Sequence, residues 1–397
     1  MLPNPAAPSS EPHASLRAAG QRPHVRRLVL SDFRSYPTLD LAMSGQLVVL
    51  TGDNGAGKTN ILEALSMFTA GRGLRRAELS EMARIGGTGG WAVSVEVETD
   101  GIRQQLGTGL EPASAFNPAQ RRYRIERAPV GSARAFADHL RIVWLTPAMD
   151  GLFSGPAGDR RRFLDRLVLA VDSDHGTRVN GLERALRNRN RLLEEGSRDS
   201  QWLDAAEREL AELAVAVSAA RHETASRLAA LIAEERDETS PFPWAELALE
   251  GDIERLIDEM PALEIEERYR ALLRDNRGRD AAAGRTLIGP QASDLVVRHG
   301  PKQADADRCS TGEQKALLVG LVLAHARLVG AMSGIAPLVL LDEIAAHFDP
   351  SRRAALYAAL ERLGGQVFLT GADPAAFLEA PEKTQVFKVS AGRVDAG

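Results

Sequence analysis

The sequence predicts an α/β protein: a phosphate-binding lobe on a mixed sheet, with a second, helical lobe inserted part-way along the chain. Three observations predict it. Gly52-Asp-Asn-Gly-Ala-Gly-Lys-Thr59 fits the pattern G-x-x-x-x-G-K-[ST], preceded by an apolar run of buried-strand type (46–51) and followed by a helically spaced run (60–68). Much later, Pro337-Leu-Val-Leu-Leu-Asp-Glu343 reads as a strand without a polar face, which suits the middle of a parallel sheet. Between the two, from Pro156 to about Arg277, apolar residues recur at helical spacing.

Strand, glycine loop and helix, in that order, point backbone N–H groups and a helix N-terminus at one anion. Gly52, Gly55 and Gly57 let the chain close around phosphate without Cβ clashes, and Asp53, Asn54 and Ala56 complete the loop. Lys58 is placed to reach the β- and γ-phosphates, and the Thr59 hydroxyl to sit on Mg²⁺. ATP with Mg²⁺ is therefore the expected cofactor.

Composition bounds the remaining possibilities. At 397 residues the chain exceeds one ordinary core, so two lobes are expected. With 44% hydrophobic and 26% charged residues it has the balance of a soluble globular protein. No apolar run approaches the roughly 20 residues needed to span a bilayer, so no membrane domain is expected. Cys309 is the only cysteine, which excludes an internal disulfide or a cysteine-rich zinc site and fits a reducing cytosol. A net charge of -5 argues against a generally cationic DNA coat, so any nucleic-acid surface is local.

In chain order, residues 1–23 are rich in Ala, Pro and Ser and read as a disordered leader. Residues 24–150 form the first half of the nucleotide lobe. They contain strands at 25–30 and 38–42, the P-loop unit, a half-buried strand at 91–98 with possible extensions at 102–110 and 121–126, and a strand at 142–145 stopped by Thr146-Pro147. Residues 151–284 make the helical lobe. Its stripes are Phe163, Leu167 and Val171, then Val179, Leu182 and Leu186, then Leu203, Leu210, Leu213, Val217, Leu228 and Leu231. Residues 285–397 return to the nucleotide lobe, with strands at 294–298, 337–343 and 366–370 and helices at about 313–328 and from about Pro350.

The acidic strand supplies what a P-loop lacks. Asp342 at the strand end can hold Mg²⁺ through water, as the second carboxylate site of P-loop ATPases does, and Glu343 projects differently and can polarise the attacking water. The candidate catalytic residues are thus Lys58, Asp342 and Glu343, with Thr59 and Asp342 on the metal. A third element, Cys309-Ser-Thr-Gly-Glu-Gln-Lys315, opens a helix between the P-loop and the acidic strand. Alone it is an ordinary N-cap turn. At this place it resembles the signature motif of ABC-type ATPases. That resemblance implies that Ser310 and Gly312 act in trans on ATP bound by a second subunit, and that Asp349, in His347-Phe-Asp-Pro350, belongs to a D-loop at the same interface.

Within that class, residues 24–390 most resemble the RecF family. Asn54 in Asp53-Asn-Gly-Ala-Gly-Lys58 is the form seen in the RecF, Rad50 and SMC branch. Pro147, Gly155-Pro156, Arg160-Arg-Arg-Phe-Leu-Asp165, Arg189-Asn-Arg-Leu-Leu193 and Gly289-Pro-Gln-Ala-Ser-Asp-Leu295 resemble family-specific stretches. The departures are Ala148, where the family usually has an acid, and Gln291 and Ala292 in place of His and Arg. Thr370 occupies the switch position, as in RecF-like proteins, and no Q-loop glutamine is evident near Leu145-Thr146. The resemblance implies a slow, DNA-stimulated cytoplasmic ATPase of recombinational repair. It would form an ATP-dependent homodimer on duplex and gapped DNA and would help load recombinase with RecO and RecR.

Three arginine clusters are candidate phosphate contacts: Arg72, Arg75 and Arg76; Arg160, Arg161, Arg162 and Arg166; and Arg184, Arg187 and Arg191, which share one helix face. The competing functions are a transporter ATPase, an SMC- or Rad50-type protein and a defence-system ATPase. The large insert and the absent switch histidine oppose the first, and the insert is too short for the long arms of the second.

Overall fold

Successive residues of the strand Leu47–Thr51 point into two different cores. Leu47 and Val49 join one, and Val48 and Leu50 the other. The same division runs through Leu338–Leu341, so the central sheet is buried on both faces, and this is why its strands carry no polar side. The computed structural model describes residues 20–196, 200–345 and 348–396. The central sheet has the order Arg393–Ala396, Gln385–Ser390, Leu47–Thr51, Val367–Gly371, Leu338–Leu341, Ile142–Leu145; all neighbours are parallel except the first pair. The P-loop strand and the acidic strand are thus separated by one strand only, Val367–Gly371.

One face is covered by the helix Lys58–Ser66 and an antiparallel sheet, ordered Tyr36–Ala42, His24–Phe33, Trp91–Thr99, Ile102–Glu111, Gln120–Ile125, Ala128–Pro129. The other face is covered by Thr311–Ser333 and Pro350–Leu363, with Ala157–Val171 and Ser200–Glu234 packed beyond. A third core lies inside the helical lobe, where Leu182, Leu210, Val217, Tyr269 and Leu273 meet. Arg189 is fully buried there, and Glu207, Asp280, the Thr286 hydroxyl and the Leu273 carbonyl accept its hydrogen bonds. A guanidinium so buried survives only because its charge and donors are met.

Two expectations are corrected. The stretch 151–284 is not helical throughout: Ala245–Glu250 is a strand, paired antiparallel with Asp294–His299 in a three-stranded sheet completed by Ala304–Asp305. Its alternation, with Ala245 buried and Glu246, Glu250 turned outward, has period two rather than 3.6. Second, the helix Thr311–Ser333 has 23 residues and is apolar enough by length and composition to cross a membrane. It is instead the core helix of this lobe, with 72% of its most apolar window buried. Of the leader expected at residues 1–23, 1–19 lie outside the described residues, and its end is corrected, since Gln21 bridges to Ile335.

Candidate nucleotide-binding site

The P-loop is closed by neighbours that tolerate no side chain. A Cβ on Gly52 would collide with the Val389 carbonyl, and one on Gly57, at φ +115°, would lie 2.7 Å from the Tyr36 hydroxyl. Tyr36 reaches this point from the tight turn of the first hairpin and donates to the Gly57 carbonyl at 3.1 Å. Burial pushes its phenol pKa up, so it remains a neutral donor. Gly57 is also the N-cap of Lys58–Ser66 and offers no side-chain cap, which leaves the first N–H groups of that helix to a ligand.

Lys58 is 4% exposed, and its ammonium donates to the carbonyls of Gly52 at 2.7 Å and Asp53 at 2.9 Å. It therefore sits over the loop that its own backbone forms. Thr59, in the first turn of the helix Lys58–Ser66, donates to both carboxylate oxygens of Asp342, at 2.9 and 3.1 Å. Thr370 donates to Asp342 Oδ1 at 2.7 Å and accepts the Glu343 N–H at 3.0 Å. Glu343 has φ +55°, a left-handed conformation that costs a non-glycine residue about 1 kcal/mol. That turn carries its carboxylate away from Asp342 to 3.9 Å from the Lys58 ammonium. Consecutive acids are thereby aimed at different places, Asp342 at the Thr59 hydroxyl and Glu343 at the mouth of the loop.

Ser310, Gly312 and Asp349 are placed differently. Ser310 caps Thr311–Ser333: its Oγ accepts the Glu313 N–H, and the Glu313 carboxylate accepts the Ser310 N–H. The Lys302 ammonium, with these Ser310 bonds, holds the Glu313 carboxyl down at about 2. Gly312 has nothing within 4 Å of where a Cβ would sit. Asp349 is exposed and caps Pro350–Leu363 by accepting the Arg352 N–H at 3.0 Å. Among the described residues, no hydrogen bond joins these three to the P-loop, Asp342 or Glu343. The chain therefore brings together Gly52, Asp53, Asn54, Gly55, Ala56, Gly57, Lys58, Thr59, Asp342 and Glu343, and leaves its signature facing outward.

Residues 24–395 match the family described as RecF/RecN/SMC N terminal domain. A curated DNA replication and repair protein RecF from Mesorhizobium japonicum is 52% identical over 371 residues, covering 94% of this chain and 97% of that protein. The chain belongs to the RecF family. The RecF of Rhizobium meliloti strain 1021 is likewise 52% identical, over 370 residues, covering 93% and 98%. A solved structure of RecF–ATPrS, described as a recombination mediator in the RecFOR pathway, has the same fold, with a TM-score of 0.82 at 20% identity over 96% of this chain and all of that one. The fold is of the RecF and SMC head type, and this RecF-family chain is one of the RecF/SMC ATPases.

Part of the arginine clusters serves this framework. Arg160 pairs bidentately with Asp294 at 2.8 and 2.7 Å, and Arg161 donates to the Ser293 carbonyl. Arg166 stacks on Trp144 and Phe163, with burial holding its pKa down at about 9. Arg162 pairs with Asp159, Arg72 with Glu78, and Arg75 with the buried Glu63. Arg160, Arg161 and Arg166 are thus engaged within the fold, while Arg72, Arg75 and Arg162 pair with acids yet keep exposed side chains. Arg184, Arg187 and Arg191 stay exposed on His175–Glu194, the latter two near Glu183 and Glu195. Tyr36 was not legible as a site residue, because no motif marks a tyrosine under a P-loop.

Proposed function

We propose that this chain is an ATP-dependent DNA-binding protein of recombinational repair. It dimerises on ATP and DNA and helps to load recombinase at single-strand gaps together with RecO and RecR. The observation that carries the proposal is a nucleotide site complete on one side only. P-loop, Thr59, Asp342 and Glu343 converge, while Ser310 and Gly312 of the same chain are presented outward at the start of a helix whose N-terminal N–H groups suit phosphate. A second copy of the chain supplies the missing face.

Within that site the loop amides and Lys58 bind the β- and γ-phosphates, and the Glu343 carboxylate accepts a hydrogen bond from the attacking water and then its proton. Thr59 and Asp342 offer one hydroxyl and one carboxylate at hydrogen-bond distance, a sparse set of hard oxygens that fits Mg²⁺ completed by phosphate and water. Mg²⁺ bound there would neutralise charge on the transferring phosphate. The ATPase is slow and DNA-stimulated and acts as a cytoplasmic switch, with closure of the dimer as the bound state. Gel filtration of the purified protein with and without ATP and gapped DNA tests this. A dimer-sized species that needs ATP and is favoured by DNA is expected; an unchanged monomer under all conditions overturns it.

A further inference from the structure

Lys315 lies on Thr311–Ser333, at the end of the signature stretch, and is 9% exposed. Its ammonium donates to Asp150 Oδ2 at 2.8 Å, while Asp150 Oδ1 is buried without a hydrogen-bond partner. Asp150 ends the short turn after the strand Ile142–Leu145, a turn fixed by backbone bonds from Met149 to Thr146 and from Asp150 to Pro147. The Leu145 carbonyl of that strand accepts the N–H of Asp342 at 2.9 Å. The backbone of Asp342 is thus linked, through the end of that strand and its following turn, to the helix that presents Ser310. Stability is a poor reason for such a pair: the Asp150 side chain is 38% exposed, and an ion pair screened by solvent on one side adds little.

We propose that Lys315 and Asp150 are positioning residues for ATP hydrolysis: their ion pair fixes the signature helix relative to the Asp342 strand, so that the signature one subunit presents is set by the state of its own nucleotide site. The inference rests on the reading that the signature completes the partner's site.

The test uses full-length protein carrying Lys315→Met, Asp150→Asn, the two together, and Lys315→Arg, with Ser310→Arg alongside. Nucleotide affinity of the monomer, kcat and KM for ATP, and ATP-dependent dimerisation by light scattering are measured. Expected are unchanged monomer affinity, a kcat lowered about 10-fold by either single change with KM little altered, and no further loss in the double variant, because both changes break one link. Lys315→Arg, which can still pair with the carboxylate, stays within a few-fold of the parent. Full kcat in Lys315→Met overturns the proposal, as do additive losses or a loss in Lys315→Arg as large as in Lys315→Met. Should Ser310→Arg hydrolyse and dimerise normally, the reading of the signature in trans fails. Should Ser310→Arg be inactive while Lys315→Met is not, only the link fails.

Discussion

The Thr370 hydroxyl donates to the Asp342 carboxylate at 2.7 Å and at the same time accepts the backbone N–H of Glu343 at 3.0 Å. One side chain thereby orients the metal-side acid and holds the strained residue that follows it. Thr370 is 1% exposed and reaches both from the neighbouring strand Val367–Gly371, so water cannot replace it. Thr370→Val keeps the shape and removes the hydroxyl. It leaves the Glu343 N–H unmet and Asp342 with the Thr59 hydroxyl alone. The expected cost is about 1–3 kcal/mol of stability, with ATP turnover reduced about 10-fold because Glu343 loses its fixed direction. Thermal melting and steady-state phosphate release check both; parental values for the two would show that Thr370 only fills space.

The arginines divide into those that hold the fold and those left to solvent. Arg160 binds Asp294 with two hydrogen bonds and the carbonyls of Phe153 and Gly155 with others, so Arg160→Ala strands a half-buried carboxylate. About 2 kcal/mol of stability is expected to be lost, with the salt dependence of DNA binding unchanged. Replacing Arg184, Arg187 and Arg191 by glutamine should do the reverse: little change in melting, weaker DNA binding, and a slope of log affinity against log salt shallower by about 2 to 3. Titrations at several salt concentrations separate the two outcomes.

His325 sits in the middle of Thr311–Ser333, 1% exposed, with Nε2 donating to the Leu167 carbonyl at 2.9 Å and Nδ1 unpartnered. Burial holds its pKa down at about 4 against an ordinary value of 6.5. The unfolded chain therefore binds a proton that the folded chain refuses between those two values, and stability falls as pH drops through this window. The penalty is absent above pH 6.5 and complete below about pH 4, about 3 kcal/mol in all. His325→Gln, which can still donate to Leu167, should flatten that part of the stability curve. Urea midpoints from pH 7 to 4 measure it, and an unchanged slope would assign the acid sensitivity elsewhere.

What could be read from the sequence was what is local. Gly52 to Thr59 carries its own flanks, and the apolar run before Asp342 announces a strand buried on two faces. Thr370 stood out only as the residue at the switch position. That it bonds Asp342 depends on which strands are neighbours, and period and composition do not encode strand order. Arg160 misleads for a similar reason, since it meets Asp294, 134 residues away. The charge of the stripe was visible, but its partner was not. Ala245–Glu250 was lost because six alternating residues lie between long helices, and its pairing with Asp294–His299 closes across the whole of the last two helices of the lobe.

Glu343→Gln separates closing of the proposed dimer from its reopening. The amide keeps the size of the side chain and can still contact water, but it cannot take up a proton or add negative charge near Lys58. Thr59, Asp342 and Thr370 are untouched, so the metal side of the site and the strained backbone at position 343 are expected to persist. ATP should bind and close the dimer, with hydrolysis lowered about 100-fold or more, the range expected for loss of a general base. A protein held in the ATP state should also leave DNA more slowly than the parent. Dissociation from surface-held duplex in ATP, followed beside phosphate release, measures both. A variant that hydrolyses ATP at the parental rate removes Glu343 as the base. One that is slow in hydrolysis yet leaves DNA as quickly as the parent keeps the base and removes the coupling of ATP to the clamp.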